Sequence, residues 1–252
     1  MHVFGQLPQG GEPELTEAPV PRPADWFANA LREALRRSGI AVTGEARSRR
    51  WPDAPASGEV LLGEINSPPL RDLVASFMLP SQNLETDLIF NHLGEQRRKA
   101  TTPAWRRSDE LAVTALEEFA TTIGLPTAAV QFDEGSGLSR SNLTTAAATV
   151  DLLSAMARQP AAPAFFAALP MAGVSGNLAK RMLGTAAERN VRAKTGTLRW
   201  ANSLSGYVTT AGGEQLVFSL MLNRNLAPAG RSGADELDEI AVILARYAGP
   251  KD

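Results

Sequence analysis

The chain has 252 residues, of which 44% are hydrophobic, and its formal net charge at pH 7 is −2. This length suffices for one sizeable core or two small ones, and the nearly balanced charge excludes a global field that would attract nucleic acid or an anionic membrane. Because cysteine is absent, histidine occurs twice and no apolar run approaches the roughly 18 residues of a membrane span, we predict no metal, no other cofactor and no transmembrane segment.

The first 66 residues predict one helix, one short strand and a boundary. Asp25 can cap a helix whose apolar side chains recur at helical spacing, and Gly39 ends that helix. Residues 40–42 then indicate a short strand. A cluster of proline, serine and glycine residues near 52–66 separates two periodic regions and predicts a domain boundary. The apolar helix positions are Trp26, Phe27, Ala30, Leu31, Ala34 and Leu35.

Three helices are predicted between residues 67 and 124. The first begins at Ser67-Pro68, since proline at the first helical position loses no needed hydrogen bond. The second follows Pro80 and ends at Gly94, and the third covers residues 108–123. The apolar positions that we expect on their faces are Leu70, Val74, Phe77 and Met78 in the first helix and Leu84, Leu88 and Leu93 in the second.

The second half of the chain predicts a glycine-rich loop between an extended segment at 129–132 and a helix at 145–158. A sheet covered by a C-terminal helix follows it. The predicted strands are 191–198, 203–210 and 215–223, the last two joined by a hairpin turn at 211–214. The apolar stripe of the final helix consists of Leu237, Ile240, Ala241, Leu244 and Ala248.

The most informative stretch places Lys194, Thr195 and Gly196 side by side on a predicted strand. An acyl-transfer site uses a cation to present charge to its substrate, a hydroxyl to hydrogen-bond it, and a residue without Cβ to bring backbone donors close to it. Lysine is rare here, with four occurrences among 25 basic residues, which makes a chance placement of Lys194 less probable. The tripeptide alone is a weak signal, and it gains weight from Ser81-Gln82-Asn83 upstream.

Ser81 has two interpretations. A serine before a helix is most often its N-cap, which gives Ser81 a structural role. The same position at a helix entrance also lets a side chain face a cleft, and the other motifs favour that catalytic interpretation.

Two nucleotide-binding interpretations fail on context. Gly135-Ser136-Gly137 is half of a dinucleotide fingerprint, but the third glycine is absent. A phosphate loop at Lys194 fails too, because Ala193 stands where that pattern needs glycine.

Together these motifs resemble those of the penicillin-recognising serine acyltransferases, whose signature set is Ser-x-x-Lys, Ser-x-Asn and Lys-Thr-Gly. The order of Glu134–Asn142, Ala193–Leu198 and Ser203–Tyr207 is similar to that in the D-alanyl-D-alanine carboxypeptidase/endopeptidase family, the class C low-molecular-mass penicillin-binding proteins. The resemblance extends to Val3–Pro8 and Ser38–Gly44 near the start.

The resemblance implies an α+β fold that is part of the penicillin-binding-protein and β-lactamase-like transpeptidase fold, with three C-terminal antiparallel strands packed against helices. Residues 1–63 would be a remnant of the family's inserted accessory region and return segment. Residues 64–252 would be the C-terminal part of the catalytic domain. Because the family's sheet has five strands, the strand at 215–223 would lack a neighbour and present an open edge.

The resemblance also implies roles for individual residues. Ser81 and Lys194 would belong to the proton-transfer and electrostatic side of the site, and Asn83 would hydrogen-bond the substrate's amide. Thr195, with the Lys194 charge, would hold the terminal carboxylate of D-Ala-D-Ala. The Thr197 amide would be one of two oxyanion donors.

Supporting roles fall to Gly196, which lets the backbone approach the substrate, and to the glycine-rich loop that lines the active-site region. Within that loop we expect Ser136 to contact the substrate and Arg140 to meet an anionic peptide. Glu134 stands where the family usually has aspartate, so the resemblance assigns it no role.

The family's nucleophile, the serine of Ser-x-x-Lys, has no counterpart, because the residues three before each lysine are Gln96, Asn177, Val191 and Ala248. We therefore expect the C-terminal part of a serine D-Ala-D-Ala carboxypeptidase/endopeptidase, inactive by itself, that acts on peptidoglycan stem peptides and binds β-lactams once the segment is restored. The alternative is a non-catalytic remnant or a peptidoglycan-peptide-binding module. The family works in the periplasm or outside the cell, although residues 1–20 lack the pattern of a signal peptide.

Overall fold

The computed structural model of the chain describes residues 5–6, 8–11, 20–49 and 58–249. The chain divides into two compact units, Met1–Glu64 and Ile65–Asp252. Several residues named above lie outside the described ranges, namely Val3, Phe4 and Leu7 of the first family motif and Pro52, Pro55 and Ser57 of the predicted boundary.

The first unit contains helix α1, Pro23–Arg37. The predicted N-cap is wrong by three residues, because Arg22 precedes the helix and Asp25 lies in its first turn, where a carboxylate favours the helix dipole. The predicted strand at 40–42 is also wrong, since those residues have no strand partner among the described ones. An isolated extended segment has no ladder to satisfy its backbone groups.

The second unit contains six α-helices among its described residues. They are α2 (Leu70–Met78), α3 (Asn83–Arg97), α4 (Ser108–Thr122), α5 (Ala146–Met156), α6 (Ala162–Ala168) and α7 (Gly233–Arg246). The short helix α6 was not predicted from the sequence. None of the helices described is long and apolar enough to cross a membrane.

Gly94 does not end α3, contrary to the sequence prediction. The helix continues to Arg97, and α4 passes so close that a Cβ at position 94 would lie 1.8 Å from the Ser108 carbonyl oxygen. The glycine therefore permits a close helix crossing. Leu84 and Leu88 of the predicted apolar face are exposed, while Phe90 is buried.

Three antiparallel strands form the main sheet in the order β3-β4-β5, and two short strands form a separate pair, β1-β2. The predicted strand at 215–223 is confirmed residue for residue. The strands are β1 (Val130–Gln131), β2 (Leu143–Thr144), β3 (Arg192–Leu198), β4 (Ala201–Thr209) and β5 (Gln215–Asn223). The mixture of helices and antiparallel sheet confirms the predicted fold class.

The two faces of the main sheet have different partners. On one face Leu204 and Phe218 pack with Leu237 of α7 in a buried core. On the other face Tyr207 donates a hydrogen bond to the Leu153 carbonyl of α5 at 2.7 Å. Lys194 shares this second face, because Lys194 pairs with Ser205 and cross-strand partners point the same way.

The edges of this sheet are β3 and β5. Within the described part of the chain, β5 pairs with β4 alone. Two residues, Arg199 and Trp200, connect β3 to β4, and Trp200 adopts a left-handed φ of 67° although it is not glycine. The Trp200 carbonyl accepts a hydrogen bond from the Arg224 amide at 2.7 Å, which holds the turn.

Candidate active site

A cleft of about 780 Å³ lies between the α2–α3 junction, the loop that contains residues 135–144, and β3 with the neighbouring ends of β4 and β5. Seven of the eight predicted site residues line it: Ser81, Asn83, Ser136, Lys194, Thr195, Gly196 and Thr197. The eighth, Arg140, is exposed on a turn and is not among the lining residues. The structure thus brings together motifs that are more than one hundred residues apart.

The α2–α3 junction turns the Ser81 side chain into the cleft. Gln82, and not Ser81, is the N-cap of α3, since its side-chain oxygen accepts from the Leu84 amide at 2.7 Å. The N-cap interpretation of Ser81 is therefore wrong. Ser81 has a φ of 65°, an uncommon conformation for a residue with a Cβ, and such strain concentrates at functional sites.

Lys194 meets Ser81 across the cleft. Its Nζ donates to Ser81 Oγ at 2.7 Å and to the Thr195 carbonyl oxygen at 2.9 Å. Burial lowers the pKa of Lys194, because desolvation disfavours the ammonium form. A hydroxyl in contact with an amine whose proton is more easily released can relay a proton.

The segment before Ser81 is clamped by residues 176 and 177. The Leu79 carbonyl accepts a hydrogen bond from the Asn177 amide at 3.2 Å. A Cβ at Gly176 would lie 2.5 Å from the same carbonyl oxygen, and the φ of Gly176 is 57°. Glycine is therefore required at 176 for this approach, which fixes the position of Ser81.

The outer edge of β3 presents backbone donors to the cleft. The Ala193 amide points away from β4, since it donates to the Pro170 carbonyl at 2.9 Å. Amides alternate in direction along a strand, so those of Thr195 and Thr197 point to the same outer edge. No described strand pairs with β3 on this edge, apart from a single bridge at Arg192. The Thr197 amide is thus available to a ligand.

Gly196 lies between these two residues and faces β4. A Cβ there would lie 2.4 Å from Ser203 Oγ, so a larger residue would push the Ser203 side chain out of its place in the cleft wall.

The glycine-rich loop is folded around the Glu134 carboxylate. That carboxylate accepts hydrogen bonds from the Ser136 amide at 2.6 Å and the Ser139 amide at 3.1 Å, and also from the Asn142 side chain. Burial alone would raise the pKa of Glu134, but the hydrogen bonds from Ser136 and Ser139 outweigh it and lower the pKa to about 2. Glu134 is therefore a carboxylate that organises the loop.

Sequence reasoning missed several residues of the cleft. Asn177, Asn202 and Asn223 line it but belong to no motif that we singled out. Asp87, which contacts the loop, carried one usable signal, because it follows Asn83 by four residues and so lies on the same side of the helix. Among the residues that the structure describes, no cluster of three or more potential metal ligands occurs.

Comparisons with known proteins agree with this geometry. The profile of the D-Ala-D-Ala carboxypeptidase 3 (S13) family matches residues 1–244. The D-alanyl-D-alanine carboxypeptidase of an Actinomadura species is 37% identical over 252 residues, covering 98% of this chain and 45% of the relative. The crystal structure of penicillin binding protein 4 from Haemophilus influenzae superposes with a TM-score of 0.74 at 25% identity, covering 90% of this chain and 50% of that one.

The same Haemophilus influenzae protein complexed with a novel β-lactam superposes with a TM-score of 0.72 at 25% identity, covering 88% of this chain and 50% of that one. The fold is thus of the type found in the penicillin-binding proteins. The chain belongs to the D-Ala-D-Ala carboxypeptidase 3 family. It spans about half the length of the relatives that it matches.

Proposed function

We propose that the chain forms one wall of the active site of a serine-type D-Ala-D-Ala carboxypeptidase and endopeptidase that trims peptidoglycan peptides. The observation that carries this proposal is the 2.7 Å contact of Lys194 Nζ with Ser81 Oγ inside a cleft that Asn83 and Thr197 also line. An amine, a hydroxyl, an amide side chain and a free backbone donor are the groups that serine acyl transfer needs beside its nucleophile.

In the proposed reaction, a serine hydroxyl attacks the carbonyl carbon of the terminal D-Ala-D-Ala bond. The serine proton reaches the departing D-alanine amine through Ser81 and Lys194. The C–N bond breaks and leaves an ester on the serine, which water then hydrolyses to regenerate the hydroxyl. The Thr197 amide would stabilise the oxyanion in both steps.

The same cleft supplies groups for the substrate. Asn83 would hydrogen-bond the amide of the stem peptide, and Thr195 with the Lys194 charge would hold the terminal carboxylate. Ser136 lines the opposite side of the cleft. Arg140 stays a prediction for an anionic part of the peptide, since its exposed turn is outside the cleft lining.

The nucleophile in this proposal comes from a Ser-x-x-Lys segment outside the 252 residues. No serine stands three residues before any lysine of this chain. In that arrangement residues 64–252 are the C-terminal part of the catalytic domain, residues 1–63 a remnant of the inserted accessory region, and the complete protein works in the periplasm or outside the cell, where peptidoglycan and β-lactams are accessible.

A fluorescent penicillin tests this assignment. The 252-residue polypeptide should form no covalent band on a denaturing gel, because loss of a catalytic serine typically costs about 10⁶ in turnover. The same chain joined to a Ser-x-x-Lys segment from its whole protein should be labelled. A labelled band on the polypeptide alone that disappears on mutation of one of its own serines would contradict the external nucleophile. Failure of the completed protein to be labelled would favour a non-catalytic, peptide-binding role.

A further inference from the structure

Asp87 and Glu134 direct their carboxyl groups at the same backbone N–H. Asp87 Oδ1 accepts from the Gly135 amide at 3.0 Å and from the Ser136 amide at 3.1 Å. Glu134 Oε2 accepts from that same Ser136 amide at 2.6 Å, so the two carboxyl groups meet at one N–H. Two acidic side chains from different elements thus converge on one point of the loop.

Two ionised carboxylates that meet at one N–H repel each other and can only accept, whereas a proton on one of them lets that group donate. Neither group forms an ion pair with a Lys or Arg in the described part of the chain. With no cation to balance two negative charges, one carboxyl group stays protonated more readily. Burial, followed by the contact with Glu134, raises the pKa of Asp87, whereas the pKa of Glu134 is lowered to about 2. Of the two groups, Asp87 is therefore the one that keeps a proton to higher pH.

The pair connects the loop to the helix that begins at the Ser81 motif. Asp87 lies one turn after Asn83 in α3. A Cβ at Gly135 would lie 2.7 Å from Phe90 Cβ and 3.0 Å from the Thr86 carbonyl oxygen, so the loop rests directly on this helix. Residues 135–137 then line the cleft opposite the Lys194 strand.

We propose that Asp87 and Glu134 are positioning residues that share one proton and thereby hold Ser136 on the wall of the cleft where the substrate peptide binds. The part that concerns the substrate rests on the proposed function. The part that concerns the loop does not.

The arrangement has a defined pH dependence. A raised pKa of Asp87 means that its contribution is complete below its ordinary value and is lost as pH rises through the raised one. The contribution of Glu134 is complete above its ordinary value of about 4.3 and is lost as pH falls toward 2. The next acidic group, Asp133, is exposed and accepts a hydrogen bond from Ser139 Oγ. The loop is thus fastened most tightly in mildly acidic solution.

Amide hydrogen exchange of Gly135 and Ser136 in the 252-residue chain tests the pair without any activity. Asp87→Asn keeps the accepting oxygen and supplies a permanent N–H to Glu134. Exchange should therefore stay within about twofold of wild type, without the loosening that wild type shows as pH rises through the raised pKa of Asp87. Asp87→Ala should exchange roughly tenfold faster at both amides. Asp151→Asn, an exposed carboxylate on α5, is the matched control and should change neither amide.

The proposal is overturned if Asp87→Ala exchanges like wild type, or if Asp87→Asn exchanges as fast as Asp87→Ala. Should Asp87→Ala fail to fold, Glu134→Gln takes its place. One of the two oxygens becomes a donor in that variant, so exchange at Ser136 should rise by a similar factor.

Labelling of the completed protein with fluorescent penicillin tests the link to binding. Asp87→Ala should raise the concentration for half-maximal labelling roughly tenfold, and Asp87→Asn should restore it. An unchanged concentration for Asp87→Ala overturns the link to the substrate. If the wild-type protein is not labelled at all, the proposed function fails, and the exchange comparison still decides whether the pair holds the loop.

Discussion

Lys194 Nζ and Ser81 Oγ lie 2.7 Å apart although 113 residues separate them along the chain. One group is held by a central position on an edge strand and the other by a strained turn between two helices. The contact therefore depends on tertiary packing. Its loss should lower the rate of acylation more than it lowers the stability of the fold.

Lys194→Ala in the completed protein should lower the rate of acylation by penicillin about 10²–10³-fold, the usual effect of removing one transition-state donor. Lys180→Ala is the matched control, because Lys180 is exposed and outside the cleft lining. Lys194→Arg should be a poor replacement, since a planar guanidinium does not reproduce a compact ammonium. Rates of labelling measure the effect, and equal rates for the two alanine variants would remove Lys194 from the site.

Lys194→Met should change the pH dependence of stability. Because burial lowers the pKa of Lys194, the unfolded chain binds more protons than the folded one between the lowered pKa and the ordinary value of about 10.4. The wild type should therefore gain free energy of unfolding relative to Lys194→Met as pH rises through this interval. Denaturant unfolding at several pH values measures the difference, and a constant difference would contradict a buried ammonium.

Gly94→Ala should destabilise the chain by about 1–3 kcal/mol, as expected for overpacking. Alanine is the better helix former, but its Cβ would meet the Ser108 carbonyl oxygen at 1.8 Å, and backbone cannot move aside cheaply. Gly44→Ala is the control, since a Cβ there has nothing within 4 Å, and it should stay within about 0.5 kcal/mol of wild type. Similar midpoints of urea unfolding for the two variants would show that the helices can separate.

In the turn between β3 and β4, a glycine variant should be more stable than an alanine variant, which is the reverse of the usual order of stability. Trp200 has a φ of 67°, so Trp200→Gly should be more stable than Trp200→Ala by about 1 kcal/mol, while both lose the indole ring equally. Arg199 has no positive φ, and there the alanine variant should be the more stable one. Thermal unfolding of the four variants gives the comparison, and the same order at both positions would mean that the turn relaxes.

Among the residues that the structure describes, β5 pairs with β4 alone, and this edge predicts association of the isolated chain. Each buried backbone group left unpaired costs roughly 1–3 kcal/mol, which is large against a total stability of about 5–15 kcal/mol. Under the proposed function, a Ser-x-x-Lys segment that also adds a strand should restore a monomer, and the same residues in scrambled order should not. Light scattering and amide exchange along β5 report the outcome. Slow exchange and a monomer without the added segment would show that the edge is protected in another way.

Local patterns predicted the C-terminal sheet well. The strand at 215–223 is correct at both ends, because an apolar run bounded by turn residues is a short-range signal. The same reasoning failed at Gly94 and at residues 40–42, where the outcome depends on how near another element passes. No local pattern can report such a distance.

The candidate site also has a part that the sequence predicted and a part that it did not. The Lys194 and Ser81 motifs were predicted by their resemblance to a family, and the structure brings them together. The contacts of Asp87 with the loop were not predicted, since they join residues 48 and 49 positions apart. Gln82 was overlooked as the N-cap because serine is the commoner residue at that position.

The clamp on the Leu79 carbonyl links two regions that would otherwise fluctuate independently. The Asn177 amide holds that carbonyl, and Gly176 has no side chain to keep it away. If the 3-10 helix Gly176–Leu178 moved away, the turn at Ser81 would lose this support and could leave its strained φ. Transient opening of the two regions should therefore be one event with one rate, and a ligand in the cleft should slow exchange of the Asn177 amide behind it as much as exchange at its own contacts.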